Sequence, residues 1–112
     1  MDSCIFCKIV QKQAPATIEY ENDDVICFRN IAPVAQTHIL IVPKIHIDSF
    51  ATIDGATIAA LTKGAQELIN KLGIGGAYKL VVNGGKYQSV PHFHWHLLAG
   101  KLENEDDILH QT

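Results

Sequence analysis

The sequence predicts an α+β protein built on a mostly antiparallel sheet, with one main helix and a short N-terminal helix. Three observations carry this. "TIEYE" (17–21) and "DVICF" (24–28) are strand-like runs separated by "NDD", which reads as a hairpin. One stretch only, beginning near Asp54, has sustained helical periodicity. "HFHWHLLAG" (92–100) opens by alternating two kinds of side chain, as a strand does.

In chain order, "CIFCKIVQK" places apolar residues at 5, 6, 9 and 10, a short helical pattern that Ala14-Pro15 should end. The hairpin follows. "HILIVP" (38–43) is a β-branched apolar run stopped by Pro43, as a buried strand would be. In the main helix, Ile58, Leu61, Ala65, Leu68, Ile69 and Leu72 recur at steps of three and four, leaving Lys63, Gln66, Glu67 and Asn70 outside. Glu67 and Lys71 are spaced for an i,i+4 ion pair, and "GIGG" (73–76) ends the helix. "AYKLVVN" (77–83) reads as a strand, "GGK" as a loop, and 92–100 as the last strand. No repeat, linker or second domain interrupts the 112 residues, so one domain is expected over 1–112, with an acidic, aperiodic tail after residue 100.

Composition narrows the function. Nine basic against twelve acidic side chains give a formal charge of −3, with no basic run, which argues against nucleic acid or an anionic membrane as partner. The start, "MDSCIFCKIV", lacks the basic end and apolar stretch of a signal peptide, and no apolar run approaches the ~20 residues of a membrane span. A cytoplasmic setting is expected. Three cysteines are too few for a disulfide scaffold, and Cys27, among strand residues, reads as a small buried hydrophobe.

Half of the six histidines fall within "HFHWH". On a strand, His92, His94 and His96 share one face at ~6.6 Å spacing, while Phe93, Trp95 and Leu97 face a core. Solvated strand faces usually use Thr, Lys or Glu, so three imidazoles in alternation point to chemistry. Imidazole is a proton carrier near neutral pH, a nucleophile and a metal ligand. Just upstream, "NGGKYQSV" (83–90) supplies glycines and the polar groups of Asn83, Gln88 and Ser89. It reads either as a phosphate cradle or as an ordinary hairpin loop. His46, in "VPKIH", follows a strand and could reach the same mouth.

With these pieces together, the chain resembles the histidine triad superfamily of nucleotide hydrolases and transferases, over roughly residues 4–100. The matching segments are "CIFCKI", "TIEYENDDVICFRNIAPVAQTHILIVPKIHI" and "NGGKYQSVPHFHWHLL". The last resembles the defining pattern His-φ-His-φ-His-φ-φ, with φ apolar, and the branch of small nucleoside phosphoramidate hydrolases is the most similar. The resemblance implies a half-barrel-like antiparallel sheet with helices on one side, usually paired as a homodimer, and a purine nucleotide as substrate. It implies that His94 attacks the α-phosphorus and carries the nucleotidyl group, that His96 contacts α-phosphate oxygens, and that Ser89 lies near the leaving-group bridge. Asn83 and Gln88 match phosphate-loop contacts and Asn30 the sugar contact. Phe6, Ile9, Phe28 and Ile31 match the base pocket, although each also reads as plain core. The chemistry is coherent: an imidazole displaces the leaving group, and water then discharges the phosphoryl-imidazole, so one hard step becomes two easier ones.

Cys4-x-x-Cys7 with His46 and His92 has the composition of a tetrahedral Cys₂His₂ site, and some bacterial-type members of this family bind structural zinc through the matching four residues. His92 would then be a structural ligand and His94 and His96 the catalytic pair. Three features depart from the pattern. Asn30 stands where many relatives carry an aspartate, the stretch from Asn83 to Gln88 is two residues short, and the tail after residue 100 does not match. Two function classes are therefore expected to compete: a nucleotidyl-histidine hydrolase, and a low-activity nucleotide- and zinc-binding module that works through protein partners.

Overall fold

A computed structural model describes residues 3–102 of the chain. Its elements are α1 (Ile5–Val10), β1 (Ile18–Glu21), β2 (Val25–Arg29), β3 (Ala35–Pro43), α2 (Gly55–Leu72), β4 (Lys79–Val82) and β5 (Trp95–Leu102). The strands form one antiparallel sheet in the order β1-β2-β3-β5-β4.

Strand parity divides the core in two. Val25, Cys27, Ile39, Ile41 and Leu97 point to the face covered by α2, where Leu61, Ala65 and Leu68 meet them. Ile26, Phe28, Leu40 and Val42 point to the opposite face, against Phe6 and Ile9 of α1. Both faces of β2 and β3 are covered, which explains why these strands read as continuous apolar runs. The two helices therefore lie on opposite faces of the sheet, not on one side as the resemblance implied.

Local chemistry sets the element ends. Asn22 Oδ1 accepts from the N–H groups of Asp24 and Val25 at 2.8 and 2.9 Å, which builds the expected β1–β2 turn. Asp54 caps α2 by accepting from Thr57 N–H at 2.7 Å, and Gly73 closes it in the left-handed conformation at φ 68°.

Four further expectations are corrected or refined. Helix α1 ends before Ala14-Pro15, because Lys12 turns left-handed at φ 62° and the N–H groups of Lys12 and Gln13 bond back to Ile9 and Lys8. Glu67 and Lys71 do not pair with each other among the described residues; Tyr20 donates to Glu67, and Lys71 donates to the carbonyl of Glu19. Both side chains tie α2 to β1 instead. The loop "GGK" contains a 3₁₀ turn, Gly85–Tyr87. The last strand starts at Trp95 rather than His92 and runs on through Lys101 and Leu102, which the sequence pattern assigns to the tail. The rest of that tail, 103–112, lies outside the described residues.

Candidate active site and metal centre

Although β5 begins only at Trp95, the alternation read from the sequence persists through the preceding extended segment. Phe93 and Leu97 sit in the α2-side core, and Trp95 packs against it. His92, His94 and His96 lie on the other side: the Phe6 ring stands 5.7 Å from His92 and 5.1 Å from His94, and the His94 and His96 rings are 4.9 Å apart. His92 and His94 are buried.

Hydrogen bonds fix which nitrogen of each ring carries its hydrogen. His94 Nδ1 lies 2.8 Å from the carbonyl of His92, which can only accept. His94 therefore carries its hydrogen on Nδ1 and keeps a lone pair on Nε2. A fourth histidine sets the tautomer of His96. Val34 N–H donates to His38 Nδ1 at 3.1 Å, so neutral His38 holds its hydrogen on Nε2. That nitrogen lies 2.9 Å from His96 Nδ1 and donates to it, leaving His96 with its hydrogen on Nε2. His94 is thus a lone-pair donor and its neighbour His96 an N–H donor.

Their environment keeps them neutral. Burial is the main cause that pushes the His94, His38 and His92 imidazoles below their usual value. His96 is pushed down to about 4, first by burial and then by the charges His94 and His38 would carry. A nucleophilic imidazole must be unprotonated, so this direction suits the chemistry at neutral pH.

A cavity of about 750 Å³ opens beside the pair. His94, His96, Ser89 and Asn30 are among its polar lining residues and Phe6, Ile9, Phe28 and Ile31 among the apolar ones, Ile31 being almost wholly exposed. The volume lies within the range of small-molecule sites. Asn30 Oδ1 accepts from Ala32 N–H at 2.9 Å, and its Nδ2 lies 3.2 Å from His38 Nε2. Asn83 is not among the lining residues, but its amide lies 3.4 Å from His96 Nε2. Gln88 is turned into its own loop and donates from Nε2 to the carbonyls of Asp48 and Val90 at 2.6 and 3.0 Å.

His46 joins a different cluster. One ligand atom from each of Cys4, Cys7, His46 and His92 lies within 4.8 Å of all the others. Cys4 Sγ is 3.4 Å from His92 Nδ1, and Cys7 Sγ is 3.3 Å from His46 Nδ1 and 3.6 Å from His92 Nδ1. In a tetrahedral zinc site with Zn–S near 2.3 Å and Zn–N near 2.05 Å, the S···N edge is about 3.6 Å. The outer nitrogens also fit. His92 Nε2 donates to the carbonyl of Pro43 at 2.8 Å and His46 Nε2 to Asp48 Oδ1 at 3.1 Å, so both Nδ1 lone pairs face inward. Two thiols and two such imidazoles fit a divalent metal with soft-ligand affinity.

The sequence reading missed His38. A signal was present: His38 shares parity with Leu40 and Val42 in "HILIVP", hence the same sheet face. It could be used only with the β3–β5 register, which pairs Leu40 with His96 and sets His38 diagonal to it.

Comparison with known proteins agrees with this geometry. The HIT (histidine triad) domain matches residues 11–103, beginning after both cysteines of the cluster. The chain is 38% identical over 104 residues to protein HitA of Neisseria gonorrhoeae, covering 88% of this chain and 97% of that one. It is also 38% identical over 108 residues to a 14 kDa zinc-binding protein of Zea mays, covering 89% and 84%. Among solved structures, a HIT family hydrolase from Clostridium thermocellum superposes with a TM-score of 0.84 at 38% identity, covering 89% of this chain and 92% of that one. The domain match, the relatives and the shared fold together establish that this chain belongs to the HIT family.

Proposed function

We propose that the chain is a nucleotide hydrolase that works through a covalent nucleotidyl-His94 intermediate and converts purine nucleoside phosphoramidates, or related nucleotide conjugates, to the nucleoside monophosphate. The observation that carries this reading is the opposed tautomers: His94 with a free Nε2 lone pair, and His96 with its hydrogen on Nε2 beside the Asn83 amide, on one cavity wall. His94 Nε2 attacks the α-phosphorus, and the P–N bond to the leaving amine breaks as the amine takes up a proton from solvent. Water then attacks the same phosphorus and gives up its proton to solvent, the bond to His94 breaks, and the monophosphate leaves. His96 Nε2–H and Ser89 donate to the oxygens that gain charge in each step. Phe6, Ile9, Phe28 and Ile31 receive the base, with Asn30 toward the sugar.

The family resemblance to a hydrolase of known structure supports the reaction class, and the apolar cavity supports a base as the buried part of the ligand. Cys4, Cys7, His46 and His92 are proposed to hold a structural zinc, in keeping with the zinc-binding relative. Such a metal would cross-link the N-terminus to the sheet. Exposed Leu80 and Val82 on the free edge strand β4, at 40% and 46%, support a homodimer that covers them. Three cysteines without disulfides suit a cytoplasmic setting.

Gln88, held in its loop by two carbonyls, favours the second reading, a binding module with little turnover. One experiment separates the two. Rapid quench of the protein with adenosine 5′-phosphoramidate, followed by mass spectrometry, is expected to show an adenylyl adduct on the peptide containing His94. Equal product release by wild type and His94→Ala would sink the hydrolase reading.

A further inference from the structure

The Cys₂His₂ cluster and the cavity are joined by one short helix. Helix α1 has six residues, too few to persist alone. Its N-terminus is capped by Cys4 Sγ, which accepts from Cys7 N–H at 3.4 Å, so both thiols of the cluster belong to it. Phe6 and Ile9 of the same helix form part of the cavity wall. The Phe6 ring meets His92 of the cluster at 5.7 Å, His94 at 5.1 Å and 89°, and Phe28 at 5.4 Å and 75°. Phe6 thus touches a side chain of the cluster, the proposed nucleophile and another residue of the cavity wall at once. His92 makes a second link, because its carbonyl holds His94 Nδ1–H.

We propose that metal in the cluster and nucleotide in the cavity bind cooperatively, with Phe6 as the positioning residue that couples them. The inference rests on the nucleotide and zinc readings above. The cluster's other two ligands, His46 and His92, lie outside α1, in the segments that follow β3 and precede β5, so a metal ties this helix to both. Without metal, only thiol–imidazole contacts of 3.3–3.6 Å remain there, and a thiol is a weak donor. The helix is then held chiefly by the packing of Phe6 and Ile9 against Ile26, Phe28, Leu40 and Val42, it leaves the sheet in a larger fraction of molecules, and the cavity is complete only in the rest. Apparent nucleotide affinity falls by that fraction. Linkage requires the reverse effect to be equal: nucleotide, by holding Phe6 and Ile9 in place, tightens the metal by the same factor.

The test uses the full chain stripped with chelator. Co²⁺ is titrated with and without saturating AMP, following thiolate-to-cobalt absorption, and AMP affinity is measured by calorimetry with and without Co²⁺. AMP is expected to lower the Co²⁺ Kd by about 5–50-fold, inside the usual range of coupling, and Co²⁺ to lower the AMP Kd by the same factor. Phe6→Ala, or Phe6→Leu if the first does not fold, should still bind Co²⁺ but with a ratio at least about threefold smaller than in wild type, since Ile9 of the same helix remains. Two ligands that bind wild type independently would overturn the coupling alone. Absence of AMP binding to the loaded protein would overturn the nucleotide reading, and absence of the cobalt band the metal reading, each taking the coupling with it. Full coupling retained in the Phe6 variant would overturn the role given to that residue.

Discussion

His38 Nε2 lies 2.9 Å from Nδ1 of His96, across a strand pair in which His38 faces Leu98 and His96 faces Leu40. Because Val34 N–H occupies the other nitrogen of His38, the only hydrogen this ring carries when neutral points at His96. One backbone amide on β3's approach thus determines, two rings away, that His96 presents an N–H to the cavity.

Replacing His38 should therefore damage turnover more than binding. His38→Ala frees His96 to adopt the other tautomer, in which Nε2 accepts rather than donates. The expected loss in kcat is about 10–100-fold, below the ~10²–10³ for deleting an oxyanion-hole donor outright, since His96 remains. The AMP Kd should change by less than about threefold. A melting curve checks that the buried site still folds. An unchanged kcat in a folded variant would remove His38 from the mechanism.

Acid should destabilise the fold before it protonates ordinary carboxylates. His96 titrates at about 4 in the folded chain against ~6.5 unfolded. Between those values the unfolded chain binds a proton that the folded chain refuses, so stability rises with pH across that window. The contribution is complete above ~6.5 and is lost progressively toward 4. Its size is about 1–3 kcal/mol. Buried His38, His92 and His94 are shifted in the same direction and add to the trend. The urea midpoint of chelated protein should fall from pH 7 to pH 5, and less so in His96→Asn. An equal or higher midpoint at pH 5 would contradict the assignment.

Parts of the fold and site were readable from the sequence because single-element patterns determine them. Asp54 and Gly73 bound α2 as their capping chemistry requires, and the parity of "HFHWH" separates histidines from core even though β5 pairs with its neighbours only from Trp95 onward. What escaped depends on pairing between distant elements. His38 gains its role from register with β5, and Glu67 and Lys71 find their partners on β1 rather than in each other. His46 reads equally as a cavity or a cluster residue until chain folding brings α1 beside it.

Asn30 offers a test of the sugar contact. Its Oδ1 is engaged by Ala32 N–H, and the His38 hydrogen beside its Nδ2 is directed at His96, so the amide offers a ligand its own donors and at most one uncharged lone pair. Asn30→Asp replaces them with a charged acceptor for sugar hydroxyls. Hydrogen bonds to charged groups contribute about 1.5–3 kcal/mol, part of which repulsion from the phosphate offsets. KM for a ribonucleotide phosphoramidate should fall about 3–10-fold, with no gain for the 2′,3′-dideoxy analogue. Equal gains for both would place the effect elsewhere than the sugar.

Thiol reactivity should report the metal centre one cysteine at a time. Cys27 lies at 0% exposure in the α2-side core, and burial pushes its thiol up to about 12, so it should stay inert to a disulfide reagent until the chain unfolds. Cys4 is partly exposed and Cys7 buried beside it, so chelated protein should lose Cys4 first and Cys7 more slowly. Zinc engages both as thiolates and blocks attack on either, so loaded protein should show no fast thiol. Mass mapping of the labelled cysteines against added zinc separates these cases. Fast labelling of Cys4 and Cys7 that zinc leaves unchanged would rule out the pair as ligands, whereas protection of Cys7 alone would mean that Cys4 serves only as the cap of α1.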